Sequence, residues 1–377
     1  MLLSRIHLIA AARPNFMKVA PLYHALKAQP WCDVGIVHTG QHYDANMSDA
    51  FFRDLQLPQP RHHLEVGSGS HAEQTGGVMI AYEKVCLTER PDWIVVVGDV
   101  NSTAACAMVG AKLWIPVVHL EAGLRSRDRS MPEEINRLVT DAIADVLWTP
   151  SVDGDENLIK EGVDPARIDR VGNIMIDSYE MMRPQIERDD TPRRMGLERG
   201  KYIVVTLHRP SNVDRRETLA PLVEQLVAAA ARLPVVFAVH PRTRKKLEEF
   251  ALMERLRTAG SIHLTDPLGY VQFMALVSGT AAAVTDSGGV QEETTYLGIP
   301  CMTLRENTER PITVTQGSNR LIQPLTLLEN VERMLAGQWS AGSRPDGWDG
   351  HAAERCVASL WEREQRRRKS GVRSKLP

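Results

Sequence analysis

The sequence predicts an α/β protein built from two doubly wound domains facing a cleft. Three observations predict it. Short apolar runs alternate with longer helical patterns through most of the chain. Several of those runs, such as WIVVVGD and YIVVTLH, are apolar on both faces, as strands covered by helices on each side of a parallel sheet are. A polar stretch with two prolines and two glycines, MMRPQIERDDTPRRMGLERGK at 181–201, divides the runs into two series. At 377 residues the chain is also too long for one ordinary core.

In chain order, the first series predicts strands near 5–11, 34–38, 93–98, 116–120, 145–149 and 168–171. The second predicts strands near 202–207, 234–239, 261–264, 281–285 and 299–303. The first domain is placed at 1–185 and the second at 200–365. A basic tail at 366–377 reads as a solvated terminus. No internal repeat or low-complexity segment interrupts the pattern. Doubly wound sheets bind ligands beyond the carboxyl ends of their strands, so strand-end residues are the ones to weigh for chemistry.

Composition narrows the function classes. Net charge is −2, which gives no global attraction to nucleic acid or anionic membrane. Cys32, Cys86, Cys106, Cys301 and Cys356 are odd in number, scattered and without a CxxC pair. They suit reduced core thiols in the cytoplasm better than a disulfide framework or a zinc site. The opening MLLSRIHLIA is apolar only briefly and carries Arg5, so it reads as a first strand rather than a signal peptide. No stretch approaches the roughly 18–20 apolar residues needed to cross a bilayer.

The most informative segment is TDSGGVQEETTYLGIP at 285–300. An apolar strand runs into Ser287, Gly288 and Gly289, then a helix bearing Glu292 and Glu293. Glycines let a backbone approach a ligand closely. A helix starting there aims free N–H groups and a positive dipole end outward, which suits phosphate. A carboxylate in the first turns can reach ribose hydroxyls, so the whole stretch suits a nucleoside diphosphate. Taken alone, it is equally an ordinary capped strand–turn–helix.

Combined with LRENTERP (304–311), this stretch resembles the non-hydrolysing UDP-N-acetylglucosamine 2-epimerases. Further matches in the same order are AARPNFMKVAPL (11–22), HTGQH (38–42), VVGDVNST (96–103), VVHLEAGLRS (117–126), MPEEINR (131–137), GN…D (172–177), TLHRPSN (206–212) and AVHPRT (238–243). The resemblance spans about residues 5 to 320. It implies two Rossmann-like domains of the glycosyltransferase-B-like type, UDP in the cleft, a homodimer, and a reaction without metal or cofactor.

The implied reaction inverts C2 of a UDP-N-acetylhexosamine, UDP-GlcNAc to UDP-ManNAc. UDP is eliminated across C1–C2 to give a 2-acetamidoglucal, then added back after protonation from the opposite face. The resemblance places Asp99, Glu121 and Glu133 as catalytic carboxylates, and His208 as the histidine that meets the diphosphate. Clustered carboxylates can separate one another's pKa values, leaving some as acids and others as bases. Which one takes the C2 proton is open. Arg13, Lys18, Arg137, Phe273, Ser287, Gly288, Gly289, Glu293 and Arg310 match positions that hold substrate. Read without the family, Asp99 is also a helix cap, Glu133 an acid favouring a helix start after Pro132, and Phe273 a core aromatic. His240 is a weaker candidate for the same cleft.

The sequence departs from the best-known members in three places. Asn15 stands where they carry Glu, so that carboxylate's role does not transfer. Pro210 and Ser211 replace a charged pair in HRPSN. YDANMSDAFF (43–52) replaces a run that helps form a regulatory site in some members, so that regulation is not expected. The YDANMS form also occurs in relatives acting on modified sugars such as UDP-2,3-diacetamido-2,3-dideoxyglucuronate, which keeps that substrate open. A UDP-dependent glycosyltransferase and a non-catalytic nucleotide-sugar sensor are further alternatives. Both leave the three acids without a purpose.

Overall fold

The computed structural model describes residues 3–11, 13–40 and 55–370, apart from the side chains of Arg13 and Pro14. YDANMSDAFF and the tail beyond 370 therefore lie outside the described residues. The chain divides into two compact units, Met1–Met181 with Asp346–Pro377, and Met182–Pro345.

Among the described residues, the first unit carries a seven-stranded sheet in the order β3-β2-β1-β4-β5-β6-β7. Its strands are β1 (Ser4–Ala10), β2 (Cys32–His38), β3 (His62–His63), β4 (Trp93–Val97), β5 (Val117–Leu120), β6 (Val146–Thr149) and β7 (Ile168–Arg170). The second unit carries six strands in the order β10-β9-β8-β11-β12-β13. These are β8 (Ile203–Thr206), β9 (Val235–Ala238), β10 (Ile262–Thr265), β11 (Ala282–Thr285), β12 (Cys301–Thr303) and β13 (Asn319–Leu321). Every pairing is parallel, and the order reverses at β1/β4 and at β8/β11. Such reversals are where doubly wound sheets open a crevice for ligands.

The strands form where Val and Ile run together, because both faces are covered. In the first unit, Ile94, Val96, Val117 and Leu147 pack with Tyr82, Ala105, Val109 and Leu158 from the helices. In the second, Val205, Phe237, Val284 and Met302 meet Leu222, Leu226, Leu247 and Val331. The predicted strands fall within two residues of those observed. β3 and β13 were not anticipated. One is a pair of histidines and the other three residues with a central Arg, too short and polar for apolar patterning to detect.

Two expectations about organisation are corrected. The 181–201 stretch is not an open linker in its first part. A helix, Ile174–Arg188, runs through it with Pro184 inside, and a short helix follows at Thr191–Arg194. The end of the chain also belongs elsewhere than expected. The helix Ala352–Ser370 lies with the first unit, not with the second, and residues 366–370 are helical rather than frayed.

Side chains explain that return. Asp177 accepts N–H bonds from Ala352 (3.1 Å) and Ala353 (2.7 Å), capping the helix start. Trp361 lies 5.0 Å from Trp31, ring to ring. Glu364 accepts from Ser4 Oγ (2.6 Å), Trp93 Nε1 (2.9 Å) and Arg368 Nε (2.7 Å), and Arg367 donates to Asp92 O (2.9 Å). The tail's charge pattern was legible; the buried Glu364 that anchors two of its arginines was not.

Candidate active site

In the first unit, chemistry gathers at the carboxyl ends of β4 and β5. β4 ends at Val97, and Gly98 then turns with φ +69°, which presents Asp99. β5 ends at Leu120, and Glu121 follows with φ +70°. That left-handed backbone is costly for a residue with a side chain and tends to persist where function or packing demands it. Each acid has a cation. Lys18 Nζ bonds the buried Glu121 carboxylate, and Arg137 bonds Asp99. A Cβ built on Gly98 would lie 3.6 Å from both Glu121 Oε2 and Lys18 Nζ, so the two strand ends adjoin.

The helix Pro132–Ile143 supplies Arg137 and sorts two neighbouring glutamates. Glu133 is exposed, with no bond joining it to this cluster among the described residues. Glu134 is buried. It accepts from Ser126 N–H (2.9 Å), Arg127 N–H (3.0 Å) and Arg137 NH2 (2.6 Å). Burial alone would raise its pKa, but these bonds hold it below the usual carboxylate value. Glu134 thus fixes Arg137, a role that sequence reading did not assign.

Asn15, the departure from the family's glutamate, is buried and donates to Val97 O (3.0 Å) at the end of β4. It has become a brace for the turn carrying Asp99. Arg13 begins the helix Arg13–Lys27, and its side chain lies outside the described residues.

In the second unit, β8 and β11 are neighbours, with Thr206 opposite Thr285. That register brings His208 beside Asp286. The His208 Nδ1–Asp286 Oδ1 distance is 2.9 Å, and Asp286 is fully buried. Asp286 also accepts from the N–H groups of His208 (3.1 Å) and Arg209 (2.9 Å) and from Asn212 Nδ2 (3.0 Å). Burial pushes its pKa up, but His208 and the other donors hold it below the ordinary 3.8. With Nδ1 turned to the carboxylate, Nε2 of His208 is left as its outward-facing nitrogen. The His240 ring lies 5.6 Å away, its pKa lowered by burial and then by His208.

Pro210 opens the one-turn helix Pro210–Val213 and so sets Asn212 towards Asp286 and Leu304 O (2.9 Å). The support of Asp286, and through it of His208, thus comes from Asn212, while Pro210 of the altered motif opens the turn that carries it.

The helix Gly288–Leu297 starts beside this dyad. Ser287 caps it through backbone conformation only, with no side-chain cap bond, which leaves its hydroxyl outside the capping role. A Cβ on Gly288 would come within 2.8 Å of Arg310 NH1, whereas one on Gly289 would meet nothing within 4 Å. A side chain at the first glycine would thus press on the ends of a buried ion-pair network and force it to shift, whereas the second faces open space. In that network Arg310 bonds Glu292 (2.7 Å) and Glu309 (2.7 Å), and Glu309 also bonds Arg305 (2.7 Å). Burial would raise the Glu309 pKa, but Arg310 and Arg305 drive it strongly down.

Glu293, one residue on, is buried and accepts from Tyr270 O–H (2.8 Å). Burial pushes its pKa to about 8, with the Tyr270 bond opposing and the Glu292 charge adding. Phe273 is partly buried on the Tyr270–Gly279 helix, three residues on and hence on the same face as Tyr270.

Glu293 has a measurable consequence. Its folded pKa lies above the ordinary 4.5, so folded protein holds a proton that unfolded chain releases between those values. Its stability contribution is full below about 4.5 and is lost as pH rises through about 8. Glu293→Gln keeps a neutral group at every pH. The melting temperature of the variant relative to the parent is therefore expected to rise from about pH 5 to about pH 8.5. A difference that stays constant across scanning calorimetry in that range would rule out a protonated Glu293.

Among the described residues, His7, His62 and Glu89 have donor atoms within 4.8 Å of one another, a spacing a metal ion could use. Arg5 Nε lies 3.1 Å and Arg61 NH1 3.7 Å from Glu89, so two guanidiniums already hold that carboxylate. All five cysteines are buried and free. No helix of the described residues is long and apolar enough to cross a membrane.

Two doubly wound Rossmann-like domains, with acids at the strand ends of one and a glycine turn at a helix start in the other, define a glycosyltransferase-B-like α/β enzyme class. A family model described as UDP-N-acetylglucosamine 2-epimerase matches residues 24–361. The chain is 42% identical to the UDP-N-acetylglucosamine 2-epimerase of Methanocaldococcus jannaschii, over 94% of this chain and 98% of that protein. A crystal structure of the M. jannaschii UDP-GlcNAc 2-epimerase, in complex with UDP-GlcNAc and UDP, matches with TM-score 0.85 and 40% identity. That match covers 95% of this chain and 99% of the other. The UDP-2,3-diacetamido-2,3-dideoxy-D-glucuronate 2-epimerase of Pseudomonas aeruginosa is 40% identical, over 84% of this chain and 88% of that protein. The chain belongs to the UDP-N-acetylglucosamine 2-epimerase family.

Proposed function

We propose that the protein interconverts UDP-GlcNAc and UDP-ManNAc by eliminating and re-adding UDP through 2-acetamidoglucal. Loss of the C2 proton and cleavage of the C1–O bond give the glycal and UDP. A proton then returns to the opposite face of C2, and the UDP oxygen re-forms the C1 bond. Asp99, Glu121 and Glu133 are the acid–base groups, each worth typically about 10²–10⁴-fold when positioned. Lys18 and Arg137 hold the first two acids and their charge. The second unit takes UDP: the Ser287 hydroxyl and the N–H groups of Gly288 and Gly289 for the pyrophosphate, since the Ser287 N–H already donates to Thr285 Oγ1 (2.9 Å), Glu293 for the ribose and Phe273 for the uracil. Arg13 adds positive charge, Arg310 supports the UDP site by bracing the Gly288 turn from its pairs with Glu292 and Glu309, and His208 Nε2 meets the leaving phosphate oxygen.

The observation that carries this reading is the pairing of Glu121 with Lys18 and Asp99 with Arg137 at adjoining strand ends. A sugar-transfer enzyme or a sensor has no need of two restrained acids there. The test is incubation with UDP-GlcNAc in D₂O. UDP-ManNAc with deuterium at C2 is expected, and absence of both would reject the proposal.

A second substrate is favoured by one observation: the P. aeruginosa relative is nearly as similar as the M. jannaschii one. The same chemistry would then act on UDP-2,3-diacetamido-2,3-dideoxyglucuronate. Comparing kcat/KM for the two UDP-sugars separates these substrates.

A cytoplasmic setting belongs to this proposal and is supported by the five buried thiols. So does a homodimer. Ile80 and Leu87, two helical turns apart, are 62% and 65% exposed, and Trp114, whose carbonyl accepts from Arg90 just beyond that helix, is 77% exposed. Trp114→Glu is expected to shift the protein from dimer to monomer in sedimentation velocity. An unchanged dimer would place the interface elsewhere.

A further inference from the structure

The two acid-bearing turns of the first unit are joined underneath by residues with no assigned role. His119, in β5, is completely buried. Its Nδ1 lies 2.6 Å from Asp141 Oδ1, and its Nε2 lies 2.8 Å from the carbonyl oxygen of Gly98. A carbonyl oxygen can only accept. Asp141 also only accepts: its other oxygen takes the Gly123 N–H (3.0 Å) and Arg125 NH1 (2.7 Å). Both ring nitrogens therefore face acceptors, and both must carry hydrogen for the arrangement to hold.

These bonds form one continuous path. It runs from Gly98, immediately before Asp99, through His119 and Asp141 to Gly123, two residues after Glu121. Arg125 extends it to Glu161 through bonds of 2.9 and 2.6 Å. Asn157 holds the Gly123 carbonyl (2.9 Å) from the far side. Gly98, Glu121 and Gly123 all have positive φ, at +69°, +70° and +80°. A side chain at Gly123 would collide with the Gly154 backbone. Backbone in these conformations persists only where its surroundings over-determine it. The His119–Asp141 pair supplies that constraint from beneath, where no substrate reaches.

We infer that His119, doubly protonated and held by Asp141, is a positioning residue that fixes the spacing of the Asp99 and Glu121 turns. This rests on the reading of those acids as the epimerising groups. A neutral ring would set a nitrogen lone pair against an oxygen and release one turn. A displacement of about 1 Å at reacting groups can cost roughly 10²-fold in rate.

The test uses the full-length protein and has two arms. In the first, ¹⁵N-histidine NMR without ligand should show one ring with both nitrogens protonated at neutral pH, and that signal should vanish in His119→Gln. Finding His119 as a neutral tautomer overturns the inference, whatever the enzyme's substrate proves to be. In the second, His119→Gln and Asp141→Asn should each lower kcat for deuterium exchange at C2 roughly 10²-fold, with UDP affinity by calorimetry unchanged. The double variant should lose no more than either single one. Unchanged kcat, or UDP affinity falling in step with kcat, also overturns it. If the parent turns over neither UDP-sugar, the epimerase reading fails, and the NMR arm alone decides the protonation and the bonding. If Asp141→Asn does not fold, His119→Gln and the parent spectrum carry the test.

Discussion

Glu121→Gln is expected to lower C2 deuterium exchange by about 10²–10⁴-fold while leaving UDP affinity within experimental error. Glu121 is 4% exposed, sits on a left-handed backbone and is bonded to Lys18. Gln has the same shape and tolerates the same backbone about equally, so the change isolates charge and proton transfer. It also leaves the largely buried Lys18 ammonium opposite a neutral amide. Removing one member of a buried ion pair typically costs about 3–5 kcal/mol, so a lowered melting temperature should accompany the loss of turnover. Lys18 retains some access to solvent, which places the cost at the lower end of that range. Calorimetry with UDP, and NMR of the sugar C2 position in D₂O, read the two effects separately. Exchange that survives in Glu121→Gln would move the proton-transfer role to Asp99 or Glu133.

Asp286→Asn is expected to damage both stability and turnover. The carboxylate accepts from His208, Arg209 and Asn212 in a site with no solvent exposure. An amide offers one acceptor oxygen and turns an NH₂ group towards donors. At least one buried donor then lacks a partner, at about 1–3 kcal/mol. His208 also loses the acceptor that fixes its tautomer, and kcat should fall about 10²–10⁴-fold.

A pH signature marks the same group. The folded Asp286 pKa is held below the ordinary value, so its stabilisation is present above 3.8 and is lost as pH falls through the folded value. Asp286→Asn should remove part of the parent's acid-side loss of stability. Parallel melting curves for parent and variant down to about pH 3 would contradict the assigned charge.

The reach of sequence reasoning differs sharply between residues. Asp99, Glu121, His208 and the glycine turn could be singled out because each follows an apolar strand directly, and the roles proposed for them came from the resemblance. Arg137 was legible only through the resemblance, and Glu134, which holds it, was passed over for its neighbour Glu133. One position on a helix decides which glutamate is buried, and the phase of that helix depends on what it packs against. Asp286 stood in the most informative segment and still received no role. Its signal was its place at the end of a strand, but its partner His208 lies 78 positions away. His119 looked like part of the HLEAG motif; its second hydrogen-bond partner, Asp141, comes from the following helix.

Local order along this chain was written in the residues themselves. Runs of Val and Ile gave buried strands, glycines gave the turns, and the strand–helix alternation gave two parallel sheets. Those signals act over a few residues, through sterics and the cost of exposing apolar surface. Strand order was a different matter. It set β1 against β4 and β8 against β11, and with that pairing came the neighbours Lys18–Glu121 and His208–Asp286. It also returned the last helix to the first unit, where Glu364 meets Ser4 and Trp93. These contacts join residues far apart in the chain, and only the packing of whole sheets and helices chooses among them.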